Sequence, residues 1–276
     1  MKSILIVAGK EFRDGLRNRW AFAITVVFAL LAVGLAYFGA AASGQVGFTG
    51  VATTIVSLSS LAVFLLPLIA LMLAYDSVVG EAQQGTLLLL LTYPMSRLQL
   101  LVGKFLGHAA ILGVSTLIGF GVAGAVIAAF GDIGEFSEFL LALGLFIVSA
   151  MLLGWAFVAF AYLISVSVAE KSRAAGIALV VWFFFVLVFD LALLGLLVGT
   201  SGTVSESVFH YLLLLNPTDI FRIVNLTFFE AARTHAGLAS IGADAAFHPL
   251  VLLGALLAWV IVPLVAAMVL FRRREA

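Results

Sequence analysis

Six apolar stretches in this sequence are each long enough to cross a lipid bilayer, and they limit what the chain can fold into. A helix needs about 20 apolar residues to cross the hydrocarbon core, and long runs without period-two alternation cannot form a lipid-facing barrel. We therefore expect an all-α polytopic membrane protein with one transmembrane domain over residues 1–276. The predicted spans are Ala21–Ala42, Ile55–Tyr75, Phe105–Phe130, Phe139–Val168, Ala174–Gly199 and Pro249–Phe271.

The basic residues lie almost entirely on one side of these spans. Of the 14 Lys and Arg residues, all but Arg222 and Arg233 fall before the first span, after the sixth, or in the second-to-third and fourth-to-fifth connections. Loops rich in Lys and Arg stay in the cytoplasm. We therefore expect a multi-pass protein of the bacterial inner membrane with both termini in the cytoplasm.

Several kinds of chemistry lack their residues here. The chain has no cysteine, so it cannot form a thiolate metal site or use a thiol nucleophile. The pairs Gly9-Lys10 and Gly103-Lys104 lack the upstream glycine and the downstream Ser or Thr of a phosphate-binding loop. We expect a chain that is not an enzyme, binds no cofactor or nucleic acid, and takes its energy from elsewhere.

The first twenty residues have the pattern of an amphipathic helix at a membrane surface. Apolar residues recur at helical spacing on one face and charged residues occupy the rest, so the helix is expected to lie in the cytoplasmic headgroup plane. The apolar residues are Leu5, Ala8, Phe12, Leu16 and Trp20, and the charged ones are Lys10, Arg13, Asp14 and Arg17. Two roles stay open, an anchor that only sets topology and a docking surface for a cytoplasmic partner.

The connection Asp76–Lys104 predicts a short helix followed by a long one. Pro94 ends the short helix near Tyr93, because the residue before proline disfavours α geometry. Ser96 and Gln99 form a capping-box pattern, which starts a helix that can continue through the third span. A short helix held between two spans can transmit force from a soluble partner, and the alternative is an interfacial loop buried against its neighbours.

Three features within the spans are informative. Gly103 and Gly107 form a GxxxG pattern, which fits close packing within the chain as well as a dimer seam. Pro67 is expected to kink the second span. Asp190 in the fifth span is a candidate functional carboxylate, because ionisable groups inside a bilayer are costly; the alternative is a protonated or hydrogen-bonded side chain that faces the bundle or the outer interface.

The outer loop 200–248 contains a second short helix. The cluster Asn216–Asp219 is a helix-start signal, and the apolar residues after it are too few to span. This segment is expected either to dip into the outer leaflet or to plug the outer end of the bundle. His210, His235 and His248 are weak candidates for a metal site, because their spacing matches no compact ligand set.

The Asp76–Lys104 connection also resembles a family signature. It is similar to the segment after the second span of type-two ABC transporter permeases, and the positions that match and would couple to the ATPase are Glu81, Gly85, Thr86, Leu87, Pro94 and Arg97. The resemblance implies two copies of this chain bound to two copies of a cytoplasmic ATPase, which would bind ATP and Mg²⁺. It also implies a coupling helix over Glu81–Pro94, a surface helix beside it, a part-inserted helical loop between the last two spans, and a periplasmic accessory protein. The matching residues of the surface helix are Lys10, Phe12, Arg13, Arg17 and Trp20.

Within that family, residues 10–20 and 84–104 are similar to permeases that serve assembly of the copper centres of nitrous oxide reductase, a step of denitrification. Copper carriers use soft sulfur ligands, yet this chain has no cysteine, and Met72, Met151 and Met268 lie in separate spans. Either a sulfur-containing species crosses, or nothing crosses and the bundle relays motion. Two other functions stay open: an ion-driven carrier that uses Asp190, and a scaffold that transports nothing.

Overall fold

The computed structural model describes residues 2–17, 19–38, 51–131, 134–200, 206–227 and 247–273. These residues form helices and connections and contain no strand, which confirms the predicted all-α fold. Five helices are long and apolar enough to span a membrane, and a sixth span results if the first two helices, bent by 65°, are taken together. The helices are α1 Lys2–Arg17, α2 Trp20–Phe38, α3 Val51–Ala74, α4 Val79–Gln83, α5 Thr86–Leu91, α6 Arg97–Phe130, α7 Phe136–Ser167, α8 Lys171–Phe183, α9 Phe189–Gly199, α10 Glu206–Leu213, α11 Pro217–Thr227 and α12 Pro249–Arg273.

The spanning helices follow the predicted spans, but five of them start earlier: α2 by one residue, α3 by four, and α6, α7 and α8 by three to eight. The helices α6, α7 and α8 begin at Arg97, Phe136 and Lys171, because helical hydrogen bonding continues into polar flanks that a hydropathy pattern leaves out. Pro67 lies within α3, and the helix continues past it to Ala74. The residues 39–42 of the first predicted span lie outside the described part of the chain.

Helix α7 is the centre of the bundle and packs against α3, α6 and α12. Helix α6 packs along α2, where the rings of Phe28 and Phe120 stack with centroids 5.1 Å apart. The fifth span is peripheral. Only 17% of the residues in its most apolar stretch are buried, against 56% in the corresponding stretches of α6 and of α7. Its helices α8 and α9 are joined by a π-helical turn, Phe184–Val188.

The amphipathic helix is shorter than predicted. It ends at Arg17 rather than Trp20, and Trp20 is the first residue of α2. Arg19, between the two helices, has a φ of 57°, a left-handed conformation that costs a non-glycine residue free energy and interrupts the helix. The break lets α1 and α2 run in different directions, 65° apart.

The short helix α11 lies inside the bundle at the end opposite α1. It packs against α3, α7 and α12, and its residues Ile220, Phe221 and Val224 are fully buried. The helix begins at Pro217, as the Asn216–Asp219 cluster predicts. This position favours the plug over the leaflet-dipping alternative, because its apolar side chains contact other helices. The residues directly after Thr227 lie outside the described part of the chain.

Candidate functional site: the basic end of the bundle

One end of the bundle gathers most of the described charged side chains, and we call it the basic end. It comprises α1, the connection from α3 to α6 with helices α4 and α5, the first turns of α6 and α8, and the last turn of α12. The connection differs in part from the prediction: two short helices, α4 and α5, broken at Gly85, replace the single short helix expected to end near Tyr93. Helix α5 ends at Leu91, and Ser96 and Gln99 complete both hydrogen bonds of the capping box that starts α6.

Lys104 is the central charged group of the basic end. Its side chain is only 3% exposed, and its ammonium group lies 2.9 Å from Glu11 of α1 and 2.6 Å from Glu81 of α4. A buried ammonium group is stable only when it is paired and hydrogen-bonded. Lys104 thus ties α1 and α4 to the start of α6. The second carboxylate oxygen of Glu81 is also buried and makes no hydrogen bond to another described residue.

Glu11 is partly buried by this arrangement, and its charge depends on it. Burial acts to raise the pKa of the Glu11 carboxyl, but the Lys104 ammonium, with help from Lys10 and His108, outweighs burial and holds the pKa below its ordinary value. Glu11 is therefore ionised at neutral pH. The ion pair between α1 and α6 is intact under physiological conditions.

Helix α1 packs closely against the GxxxG pattern of α6. A Cβ at Gly103 would lie 2.7 Å from the Cβ of Val7, and one at Gly107 would lie 2.5 Å from the Cβ of Glu11. Side chains at these positions would force the two helices apart, so the glycines bring α1 close enough for Glu11 to reach Lys104. Of the two alternatives left open by the sequence, packing within the chain accounts for this pattern.

The start of α4 is hydrogen-bonded to α7, the central helix of the bundle. The Ser165 hydroxyl on α7 accepts hydrogen bonds from the backbone N–H groups of Val78 and Val79, at 3.0 and 3.1 Å. These donors would otherwise be unsatisfied at a helix start. A second tie is the exposed ion pair of Asp76 with Lys171 at the start of α8, 2.6 Å long.

Helix α5 and the turn after it, which contains Tyr93, present an apolar face to the outside. Leu88, Leu89 and Tyr93 are 56%, 66% and 62% exposed, whereas Leu87 is buried against the bundle. Gly85, which joins α4 to α5, has a φ of 73°, in the region that favours glycine. The turn at Gly85 therefore sets the direction in which this apolar face points. Exposed apolar residues grouped at the tip of a loop are typical of a protein–protein contact.

The other predicted residues of this end have structural partners or face outward. Arg97 donates a hydrogen bond to the Phe271 carbonyl at 3.3 Å and lies over its ring, which ties α6 to α12. Pro94 lies in the exposed turn before α6, and the Thr86 hydroxyl donates to the Glu81 carbonyl. On α1, Arg13 and Arg17 are exposed, whereas Phe12 is partly buried. Lys10 pairs with Glu11 and Asp14.

A second polar cluster lies at the opposite end. The Arg222 guanidinium on α11 pairs with Asp190 on α9, at 2.5 Å, and with Asp219, at 3.0 Å. Asp190 therefore takes part in a described ion pair, as in the bundle-facing alternative stated for it. Burial and the nearby Asp190 carboxylate raise the pKa of Asp219, although Arg222 opposes them. The Arg222 guanidinium thus pairs with the carboxylates of both Asp190 and Asp219.

The π-helical turn of the fifth span receives the start of α11. The Phe185 carbonyl, within that turn, accepts hydrogen bonds from the Asn216 amide at 3.0 Å and from the Thr218 hydroxyl at 3.1 Å. Asn216 and Thr218 are completely buried. A π-turn leaves carbonyls without their usual helical partners, and these two side chains satisfy one of them. Helix α11 is thereby fixed to the fifth span.

The predicted histidines are not brought together. The His210 ring contacts Phe247, and the His248 ring accepts a hydrogen bond from the Leu250 N–H at the start of α12. His235 lies outside the described residues. Within the described ranges, no group of three His, Asp or Glu residues could hold a metal ion.

Sequence reasoning missed Ser165 and the partners of Lys104 and Asp190. Glu11 and Lys104 are 93 positions apart, and Ser165 is 86 positions from Val79. No local pattern joins residues at such separations. The one available signal was Lys104 itself, a charged residue between two glycines of a close-packing motif, which implies an acidic partner on the facing helix.

The described helices define a multi-pass membrane protein, and comparison with known proteins shows its family. The sequence profile of the "ABC-2 family transporter protein" matches residues 5–276. A "Probable ABC transporter permease protein NosY" of Stutzerimonas stutzeri is 55% identical over 274 residues, 99% of each chain. A protein of the same name from Pseudomonas aeruginosa is 54% identical over 274 residues, again 99% of each chain.

The chain belongs to the ABC-2 transporter family. It is therefore an ABC permease similar to the NosY permeases and a multi-pass protein of the inner membrane. Membership implies a separate cytoplasmic ATPase as its partner.

Proposed function

We propose that the basic end faces the cytoplasm and seats the ATPase on the coupling segment, residues 79–94, and that motion of this segment drives the bundle. The observation that carries the proposal is the buried Lys104, which ties Glu81 of the coupling segment and Glu11 of α1 to a single long helix. A push on α4 reaches α6 directly, and α6 continues to the far side of the bundle. Buried polar contacts rigidify the elements that they join, so α4, α1 and α6 are expected to move as one unit.

The contact surface for the ATPase is the exposed face of α5. Leu88, Leu89 and Tyr93 supply exposed apolar area, and burial of such area is the dominant favourable term in most protein–protein association. Ser165 caps the start of α4 and Ser96 caps the start of α6, so both ends of the segment are fixed. Force applied to α5 is therefore transmitted to the bundle instead of only deforming the segment. The resemblance further implies two copies of the chain with two ATPases, and a periplasmic accessory protein.

For the cargo, the proposed role is assembly of the copper centres of nitrous oxide reductase. Its support is the similarity to two permeases named NosY. The scarcity of sulfur ligands in the chain favours transfer of a sulfur-containing species, or a relay of motion to the periplasmic side, over a copper path. The ion pair of Asp190 with Arg222 accounts for this carboxylate without ion-driven transport.

The test replaces the exposed face and measures retention of the ATPase subunit on purified full-length chain. Leu89→Glu and Tyr93→Ala should lose the ATPase while the thermal unfolding midpoint of the permease stays unchanged. The matched controls are Leu215→Glu and Tyr211→Ala, 55% and 65% exposed at the opposite end. Normal retention of the ATPase by both coupling-segment variants would refute this docking surface.

A further inference from the structure

The outward side of α1, away from α6, contains a groove that nothing above explains. It has a volume of about 530 Å³, and the residues that line it are Leu5, Ile6, Gly9, Lys10, Arg13, Asp14 and Arg17. Leu5 and Ile6 are 68% and 69% exposed, so their side chains project from the helix surface. Gly9 also lines the groove, and a Cβ at this position would meet no atom within 4 Å.

The charges of the groove favour an anionic occupant. Lys10 is neutralised by its ion pairs with Glu11 and Asp14. Arg13 and Arg17 are exposed and make no ion pair with any other described side chain. They lie one helical turn apart, so both guanidinium groups can reach the same phosphate. The groove thus offers two available positive charges.

The apolar residues give the occupant its second property. On a helical wheel, Leu5, Phe12 and Leu16 lie next to Gly9, on the side away from the Val7–Gly103 seam. Basic residues therefore border an apolar stripe, and Gly9 lies at the boundary. A phosphate with attached hydrocarbon chains matches both parts of this surface, whereas a free phosphate or an acidic protein surface matches only the basic part.

We propose that this groove is a binding site for an anionic phospholipid, with its phosphate at Arg13 and Arg17 and its acyl chains passing Leu5 and continuing along the exposed Leu16 beside the groove. The lipid rests against the outward side of the helix whose inward side contacts Lys104. Bound lipid therefore holds α1 at the depth at which Glu11 reaches α6. The inference does not depend on which face of the molecule binds the ATPase.

The test measures retention of phosphatidylglycerol by the purified full-length chain, using native mass spectrometry during titration in mixed micelles of a neutral detergent and phosphatidylcholine. Arg13→Gln with Arg17→Gln should weaken binding roughly 20- to 30-fold, because each basic residue at an anionic surface contributes about fivefold. Gly9→Leu keeps every charge but fills the groove, and it should also abolish retention. Its side chain fits without disturbing the fold, because the space beside Gly9 is open.

Two control variants separate a built site from diffuse attraction. Arg272→Gln with Arg273→Gln removes the same charge from the same end of the bundle, and Gly176→Leu makes the same substitution at another glycine with open space around it. Both should retain phosphatidylglycerol like the wild type. Loss in both charge pairs with normal retention in Gly9→Leu would show diffuse electrostatics and overturn the proposal. If Arg13→Gln with Arg17→Gln leaves lipid retention unchanged but the variant no longer retains the ATPase, the basic face of α1 binds a protein partner. That result would also overturn the proposal.

Discussion

A single buried side chain, Lys104, forms ion pairs with both Glu11 and Glu81 of the basic end. With two carboxylates within 2.9 Å, replacement by methionine would leave Glu11 and Glu81 facing each other without a cation. Breaking a buried pair from one side costs about 3–5 kcal/mol, because the remaining charge stays desolvated. We expect Lys104→Met to lower the thermal unfolding midpoint sharply, measured by tryptophan fluorescence in detergent.

The control for this variant is Lys171→Met. Lys171 forms an ion pair of equal length with Asp76, but the two side chains are 48% and 36% exposed. Exposed pairs contribute about 0–1 kcal/mol, because water and salt screen them. Adding Glu11→Gln and Glu81→Gln to Lys104→Met should recover much of the loss. Equal effects of Lys104→Met and Lys171→Met would show that burial does not strengthen the Lys104 contacts.

Asp219 makes stability depend on pH in the direction opposite to an ordinary ion-paired carboxylate. Burial and Asp190 raise its pKa above the ordinary value of 3.8, so the folded protein holds this proton at a pH where the unfolded chain has lost it. Stability should fall as pH rises from about 4 through the raised pKa, and level off above it. Asp219→Asn should flatten this decline in unfolding midpoint against pH. A decline of equal slope in the variant would assign it to another group.

The residue sequence was enough to predict the helix starts, but it did not predict the buried ion pairs between helices. The Ser96–Gln99 capping box and the Asn216 helix start depend on neighbours three or fewer positions apart, so the sequence contains all of the required information. The pairs Lys104–Glu11 and Asp190–Arg222 form only after helices assemble. Zinc- or copper-type ligand sets would have been visible by spacing, but pairs across the bundle are not.

At the scale of elements, the seam between α1 and α6 depends on two missing side chains. Gly107→Leu would place atoms where Glu11 and the Ala8 carbonyl lie, with the latter 3.0 Å from a Cβ. We expect α1 to separate from α6, with a cost of about 1–3 kcal/mol for the overpacking. Trypsin should then cleave after Arg13 or Arg17 faster than in the wild type, as measured by limited proteolysis.

The matched control is Gly121→Leu, on the same helix at a position with open space. It should leave both the cleavage rate and the unfolding midpoint close to wild type. Rapid cleavage in Gly121→Leu as well would mean that any bulky residue on α6 loosens α1, contrary to the role given to the GxxxG seam.

Helix boundaries show why element prediction from hydropathy is only partly successful. Apolar length identifies every described span, because backbone groups inside a bilayer must be satisfied within the helix. It does not show the break at Arg19, which separates α1 from α2, or the π-turn at Phe184–Val188. Both depend on tertiary contacts: α1 must turn to follow α6, and the π-turn carbonyl is stabilised by Asn216 and Thr218 from a distant helix.

At the scale of the whole molecule, the account requires that the two ends face opposite sides of the membrane. The natural chain has no cysteine, so single cysteines can report topology without interference. Thr86→Cys should react with a membrane-impermeant maleimide only after cells are permeabilised. Tyr211→Cys, 65% exposed at the other end, should react in intact spheroplasts. The reverse pattern would invert the orientation given by the basic residues.

The central claim, that a separate ATPase grips residues 79–94, is tested most directly by crosslinking in the assembled complex. Leu89→Cys, in the cysteine-free chain, is treated with a short photoreactive maleimide, and Tyr211→Cys serves as the control. We predict a covalent adduct with the ATPase subunit from position 89 and none from position 211. An adduct from position 211 alone, in a complex that retains its ATPase, would contradict the account.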